Sequence, residues 1–90
     1  ALMYAGLKVG LPRNVALYGA AQAVLGTGKL VLELQEHPAR IKDMVTTPNG
    51  TTIEAIYQLE GSSIRQSLMR AVEEAAKKSQ RIREMLGMPQ

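Results

Sequence analysis

Between Pro12 and Glu36 the chain runs through Val15, Ala16, Leu17, Tyr18, Ala20, Ala21, Ala23, Val24, Leu25, Leu30, Val31, Leu32 and Leu34, leaving almost no polar face. Pro12 suits the first turn of a helix and Pro38 forbids its continuation, so the stretch predicts one long helix from Pro12 to about Glu36. A helix apolar on nearly every side must be covered on nearly every side. At 1.5 Å per residue it would run on the order of 37 Å. A compact globule of this length has a radius of gyration near 12 Å, hence a diameter of roughly 30 Å. The helix outruns its own domain, and the economical cover is a second copy, with the helices of two subunits interleaved. Gly19, Ala23, Gly26 and Gly28 are small where neighbouring backbones could approach, although each helical glycine costs roughly 1 kcal/mol against alanine. A membrane span is the rival account. Gln22, Lys29 and Glu33 interrupt it, and no belt of Trp or Tyr flanks it.

The remaining residues support an all-α reading. Ninety residues form at most one domain, one that buries only about 60 to 65% of its unfolded surface as a monomer. With three Tyr and no Phe or Trp, its interior must be filled by Ala, Leu, Val, Ile and Met. Leu2, Met3, Ala5, Leu7 and Val9 suggest the end of a helix, with Gly10 as its left-handed terminator. A chain that begins inside such a pattern, with no capping residue and no basic leader before it, reads as part of a longer protein. After Pro38 a short helical turn spans residues 39 to 43, and a third substantial helix spans 52 to 60, with Ile53, Ile56 and Tyr57 facing inward and Gly61 at its end. Ser62 or Ser63 caps a final helix in which Ile64, Leu68, Val72, Ala75, Ser79, Ile82 and Leu86 recur at steps of three and four as a single buried stripe, until Gly87 and Pro89 stop it. Glu73 with Lys77 and Glu74 with Lys78 are in the favourable order for i,i+4 pairs. The fold class expected is a helical bundle with one long buried helix, forming an intertwined homodimer.

Charge and cysteine content exclude several functions. The absence of cysteine rules out a disulfide framework and a thiolate metal site, and suits a reducing, cytoplasmic setting. His37 is the one histidine; alone it makes no zinc site, and beside Pro38 it suits the last turn before a helix break, capping carbonyls. The net charge of +3 belongs to the last helix, but Glu73, Glu74 and Glu84 interrupt Lys77, Lys78, Arg81 and Arg83, and no aromatic residue is interleaved for stacking. This is a solvated face rather than a nucleic-acid interface.

Lys42 to Ile53 carries the candidate chemistry. Thr47 precedes a proline and is pushed toward an extended conformation, Pro48 fixes its own φ, and Asn49-Gly50 can take the positive φ that swings the chain into a helix. Unpaired amides and the positive end of the helix dipole then converge beside the hydroxyls of Thr47, Thr51 and Thr52, an arrangement suited to a carboxylate or phosphate. Thr51 and Glu54 also have capping-box spacing, and on pattern alone plain capping is the favoured reading.

The segment His37-Pro38 followed by Lys42-Asp43-Met44-Val45-Thr46-Thr47-Pro48-Asn49-Gly50-Thr51-Thr52 resembles the C-terminal signature of pyrroline-5-carboxylate reductase. The resemblance extends upstream through Gly6-Leu7-Lys8-Val9-Gly10-Leu11-Pro12 and Ala20-Ala21-Gln22-Ala23 to Gly26, and downstream through Leu59-Glu60 and Ile64-Arg65 to Ala76. It implies that residues 1 to 90 are a helical dimerisation and substrate-binding domain, partnered in the whole enzyme by a dinucleotide-binding domain. That enzyme makes proline by hydride transfer from NAD(P)H to the C=N carbon of 1-pyrroline-5-carboxylate. The chain has no G-x-G-x-x-G after a strand and no βαβ alternation, so NAD(P)H is expected on the other domain and this part alone is expected to be inactive. The expected partners are a small carboxylate substrate and a second copy, in dimers that can assemble further, with no nucleic acid or membrane.

The resemblance implies that Thr47 and the amides of Gly50 and Thr51 hold the substrate carboxylate, that Val45 lines the pocket, and that the catalytic hydroxyl of Thr52 lies near the ring nitrogen. An aliphatic alcohol does not ionise near neutral pH, so Thr52 would orient the nitrogen or relay a proton from water. Where this chain has Asn49, the family usually has a second glycine; Asn tolerates the left-handed region, but it adds a side chain to the pocket. A capping box and a bound carboxylate would compete for the Thr51 amide, so Glu54 is expected near that amide only without substrate, or Thr52 is the cap. The competing function is a freestanding helical interaction module without an active site.

Overall fold

The computed structural model of the chain describes residues 1–87. They form five helices and no strand: α1 (Leu2–Lys8), α2 (Arg13–Leu34), α3 (Pro38–Met44), α4 (Thr51–Glu60) and α5 (Ile64–Met85). The chain divides into two compact units, residues 1–45 and the residues from Thr46 onward. The first contains α1, α2 and α3, the second α4 and α5.

In the first unit α1 packs against α2. The reversal between them is a Schellman closure: the Leu11 amide donates to the Gly6 carbonyl and the Gly10 amide to the Leu7 carbonyl, both at 3.0 Å, with Gly10 at φ +99. Gly10 is therefore the left-handed terminator that the sequence suggests. The closest approach is at Gly6, where an added Cβ would lie 2.8 Å from the Ala16 Cβ and 3.3 Å from its Cα. Ala16 is correspondingly buried.

The boundaries of α2 differ slightly from the sequence reading. Pro12 is the N-cap, extended at ψ 150, and not a member of the first turn. The helix ends before Pro38 is reached, because Gln35 turns left-handed at φ 51 while its amide closes on the Val31 carbonyl at 3.0 Å. Pro38 instead opens α3, where a missing N–H costs nothing. His37 precedes it as N-cap, its Nδ1 accepting from the Ala39 amide at 3.1 Å. The imidazole thus serves the start of α3 as an acceptor, rather than capping the carbonyls of the helix before it.

Twenty-two residues make α2 about 33 Å long. The chain itself buries only Ala16 of this helix, leaving Tyr18 73%, Leu25 64% and Leu32 77% exposed. By length and mean hydropathy α2 could cross a membrane, and Lys29 and Glu33 pair on its surface at 3.8 Å. Beyond the backbone of α2 itself, none of the described residues lies within 4 Å of a Cβ built on Gly19, Gly26 or Gly28, so those residues make no use of these glycines for packing. Beside α1, the face formed by Leu17, Ala20, Ala21, Val24 and Leu25 borders an open apolar groove of about 710 Å³.

In the second unit α4 and α5 do not pack along each other and are tied at their joint. Ser62 Oγ donates to the Leu59 carbonyl at 2.6 Å and accepts from the Ile64 amide at 3.4 Å, so one hydroxyl serves the end of α4 and the start of α5. Ser63 holds the N-cap position without a side-chain bond, and Gly61 ends α4 in a right-handed conformation, φ −79. Arg65 also pairs with Glu60. On α5, Lys77 takes both Glu73 at 3.1 Å and Glu74 at 3.4 Å, so Glu74 pairs one residue short of the expected Lys78. Contrary to the sequence reading, the α5 stripe through Leu68, Val72 and Ile82 is exposed, as are Ile53 and Tyr57 of α4, because within one chain these two helices do not pack along each other. Gly87 stands at φ +70 after α5, and Pro89 lies outside the described residues.

Replacing Gly6 by Ala should lower stability by up to about 2 kcal/mol, overpacking against Ala16 costing about 1 to 3 kcal/mol and helix propensity returning roughly 1 kcal/mol. Denaturant unfolding of the two proteins measures the difference, and a raised midpoint, the propensity gain alone, would show that α1 does not pack in this way.

Candidate functional site: the threonine loop at the start of α4

The loop is shaped by one turn. The Gly50 amide donates to the Thr47 carbonyl at 3.1 Å, closing a four-residue turn with Pro48 and Asn49 at its centre. Asn49 stands at φ +58, matching a type II turn with proline in the second place and a positive-φ residue in the third. Asparagine adopts this region more readily than other side-chain-bearing residues, so the position can be filled without glycine.

Gly50 follows as the N-cap of α4, extended at φ −82 and ψ 173. Of the Asn49-Gly50 pair, Asn49 alone takes the positive φ. Gly50 is crowded instead: a Cβ there would collide with Thr47 Oγ1 and would lie 3.4 Å from the Thr47 carbonyl oxygen. The Thr47 hydroxyl therefore sits against the N-cap of α4.

The helix begins at Thr51, one residue before the expected start at Thr52. This shift removes the capping box. With Gly50 as N-cap, Glu54 falls one position beyond the place from which it could reach back, and no side chain caps the helix. Thr52 is not the cap either. The first amides of α4, from Thr51 and Thr52, are left among the orphan donors of an uncapped N-terminus, beside the positive end of the helix dipole.

The second unit thus brings Thr47, Gly50, Thr51 and Thr52 together at one helix start. Thr47 and Thr51 are exposed, Gly50 and Thr52 half-buried. The Gly50 amide is engaged within the turn, leaving the amides of Thr51 and Thr52 as first-turn donors without a partner inside the helix. Val45 is the C-cap of α3 and the last residue of the first unit, with an exposed side chain. The apolar groove beside α1 and a shallow hollow along Leu68, Met69 and Val72 of α5 include none of these residues. Among the described residues no group of three or more His, Cys, Asp or Glu could hold a metal ion.

Residues 1–82 match the family described as pyrroline-5-carboxylate reductase dimerisation. The chain belongs to that family. It is 46% identical over 82 residues to the pyrroline-5-carboxylate reductase of Synechocystis, an alignment covering 91% of this chain and 31% of the relative. It is 44% identical over 82 residues to the Escherichia coli enzyme, covering 91% of this chain and 30% of the relative. Identity to human pyrroline-5-carboxylate reductase 2 is 40% over 85 residues, covering 94% of this chain and 27% of the relative. The chain thus spans about a third or less of the length of these curated relatives. Membership in a dimerisation family disfavours the freestanding interaction module, and it matches the exposed apolar length of α2 with a protein partner.

Sequence reasoning located the loop and its threonines but could not divide the work between Asn49 and Gly50. Either residue tolerates positive φ, and only the turn geometry shows which one takes it. Replacing Asn49 by Gly should preserve the turn. Replacing it by Val should cost about 1 to 2 kcal/mol, because a β-branched residue is forced into the left-handed region. Chemical unfolding of the two variants checks this: equal stabilities would show that Asn49 does not hold a positive φ.

Proposed function

We propose that this chain is the dimerisation and substrate-binding part of a pyrroline-5-carboxylate reductase, acting as a homodimer. The observation that carries the site reading is the uncapped start of α4, with the Thr47 hydroxyl seated against it and Thr51 and Thr52 opening the helix. Such a set of donors suits one small carboxylate. The names of the curated relatives support 1-pyrroline-5-carboxylate as the molecule that bears it.

In this reading the Thr47 hydroxyl and the Thr51 amide donate to the substrate carboxylate, and Gly50 provides the close approach between turn and helix. The Thr52 hydroxyl sets the ring nitrogen, which must be protonated for the C=N carbon to accept hydride. Donors fixed before the substrate arrives need little rearrangement, so the gain lies in orientation. The carboxylate lies across the ring nitrogen from the reacting carbon and keeps its charge through hydride transfer, so beyond orienting the ring its contacts act much alike on bound substrate and transition state.

NAD(P)H would supply the hydride. The described residues do not fit a dinucleotide: they include no strand, and hence no glycine-rich turn between a strand and a helix. In this reading the cofactor is held elsewhere in the whole protein, and these residues contribute to substrate alone.

Dimerisation follows from α2. Eight of its large apolar side chains, Val15, Leu17, Tyr18, Val24, Leu25, Leu30, Leu32 and Leu34, stay exposed in the single chain. Burying each is worth about 1.5 to 3 kcal/mol, so together they represent on the order of 10 kcal/mol or more, comparable with the whole stability of a small domain. The family's description as a dimerisation domain supports a second copy over a bilayer as the cover.

Steady-state kinetics of the intact protein with 1-pyrroline-5-carboxylate and a reduced nicotinamide cofactor test the reading. The wild type should form proline. Thr47→Val should raise KM by about tenfold, the loss of a hydrogen bond to a charged group, with a smaller effect on kcat. Thr52→Ala should chiefly lower kcat. A wild type without turnover, or two variants with unchanged constants, would contradict it.

A further inference from the structure

Gly50 has three possible reasons to be glycine, and the geometry removes two. Its backbone, at φ −82 and ψ 173, is open to any residue, so conformational freedom is not required. Its N–H donates to the Thr47 carbonyl at 3.1 Å, a bond that any residue except proline would make, and so does not depend on glycine either. Space remains. A single added Cβ would collide with Thr47 Oγ1, while the Thr47 carbonyl oxygen at 3.4 Å and the Thr47 Cβ at 3.7 Å from it would be in ordinary contact.

We propose that Gly50 is a positioning residue whose absent side chain holds the Thr47 hydroxyl at the start of α4, where it serves the substrate carboxylate. This rests on the function proposed above. The collision involves the hydroxyl itself, and threonine has little freedom to evade it: its branched Cβ allows few rotamers, and turning Oγ1 away moves either the methyl group or hydrogen into its place. Pro48, immediately after, restricts the Thr47 backbone as well. An alanine at position 50 therefore acts through residue 47, displacing its hydroxyl while the turn's backbone bond can persist. The substrate loses a hydroxyl contact without loss of the threonine.

A double-mutant cycle in the intact protein separates this from the other roles of a glycine. Gly50→Ala and Thr47→Ala should each raise KM for 1-pyrroline-5-carboxylate by about tenfold, more than they lower kcat. Gly50→Ala/Thr47→Ala should match Thr47→Ala alone, because the atom that Cβ would strike is gone. Melting temperatures should couple in the same way: Gly50→Ala lowers Tm beside Thr47 and leaves it nearly unchanged beside alanine. Losses in KM that multiply in the double variant would overturn the proposal, since Gly50 would then act on substrate independently of Thr47; so would a Gly50→Ala variant with wild-type KM. A wild type without reductase activity would overturn the function reading. The Tm cycle would then still decide the steric claim, and equal Tm losses in both backgrounds would overturn it.

Discussion

The apolar surface of α2 is the constraint from which the rest follows. A helix of about 33 Å whose large side chains point in all directions cannot be satisfied by the residues of one short chain. Within its own chain it packs against α1, most closely at Gly6 and Ala16, and apart from buried Ala16 only Ala20 and Val31 are even half-buried. Neither disulfide nor metal is available to offset the deficit, because the sequence has no cysteine and the described residues hold no metal-binding cluster. Gly19 and Gly26, seven residues apart and hence on one face of the helix, have no neighbour among the described residues beyond the helix itself. Glycines that weaken a helix and touch nothing in it are accounted for if another backbone approaches them. The exposed stripe on α5 has the same character.

The threonine loop shows a division of labour between neighbouring residues. Asn49 supplies the positive φ, Gly50 supplies room, and the helix starts one position earlier than a Thr-x-x-Glu pattern suggests. That single shift decides whether a capping box can form. Had Thr51 been the N-cap, Glu54 would have stood where a carboxylate ligand is expected, and the site would have been filled by its own helix. With Gly50 as N-cap, which has no side chain to offer, the donors remain open.

Much of this was legible in the residues. The helical class, the Gly10 terminator and the position of the loop follow from periodicity and from proline and glycine placement, because these act locally and within a few residues. The family resemblance, read from the His37-Pro38 and Lys42 to Thr52 segments, agrees with the family match over residues 1–82. What escaped were choices between adjacent residues able to do the same work. Pro12 could cap or join α2, Gln35 ended that helix through a left-handed turn that no glycine announced, and Ser62 rather than Ser63 took the capping bond. Each is settled by dihedral angles that a pattern of residue types does not encode. Pro38 reads as a stop in the sequence, which would make His37 a donor to carbonyls; as the opening residue of α3, Pro38 makes His37 an acceptor instead.

The covering of α2 by a second copy is the central claim, and the molecular mass in solution tests it most directly. Sedimentation equilibrium on the intact protein over a wide dilution range should return two copies or a multiple of two, with loss of helical signal wherever dilution drives the copies apart. A single copy that keeps its full helical signal would contradict the account, because α2 would then be stable with its apolar faces in water.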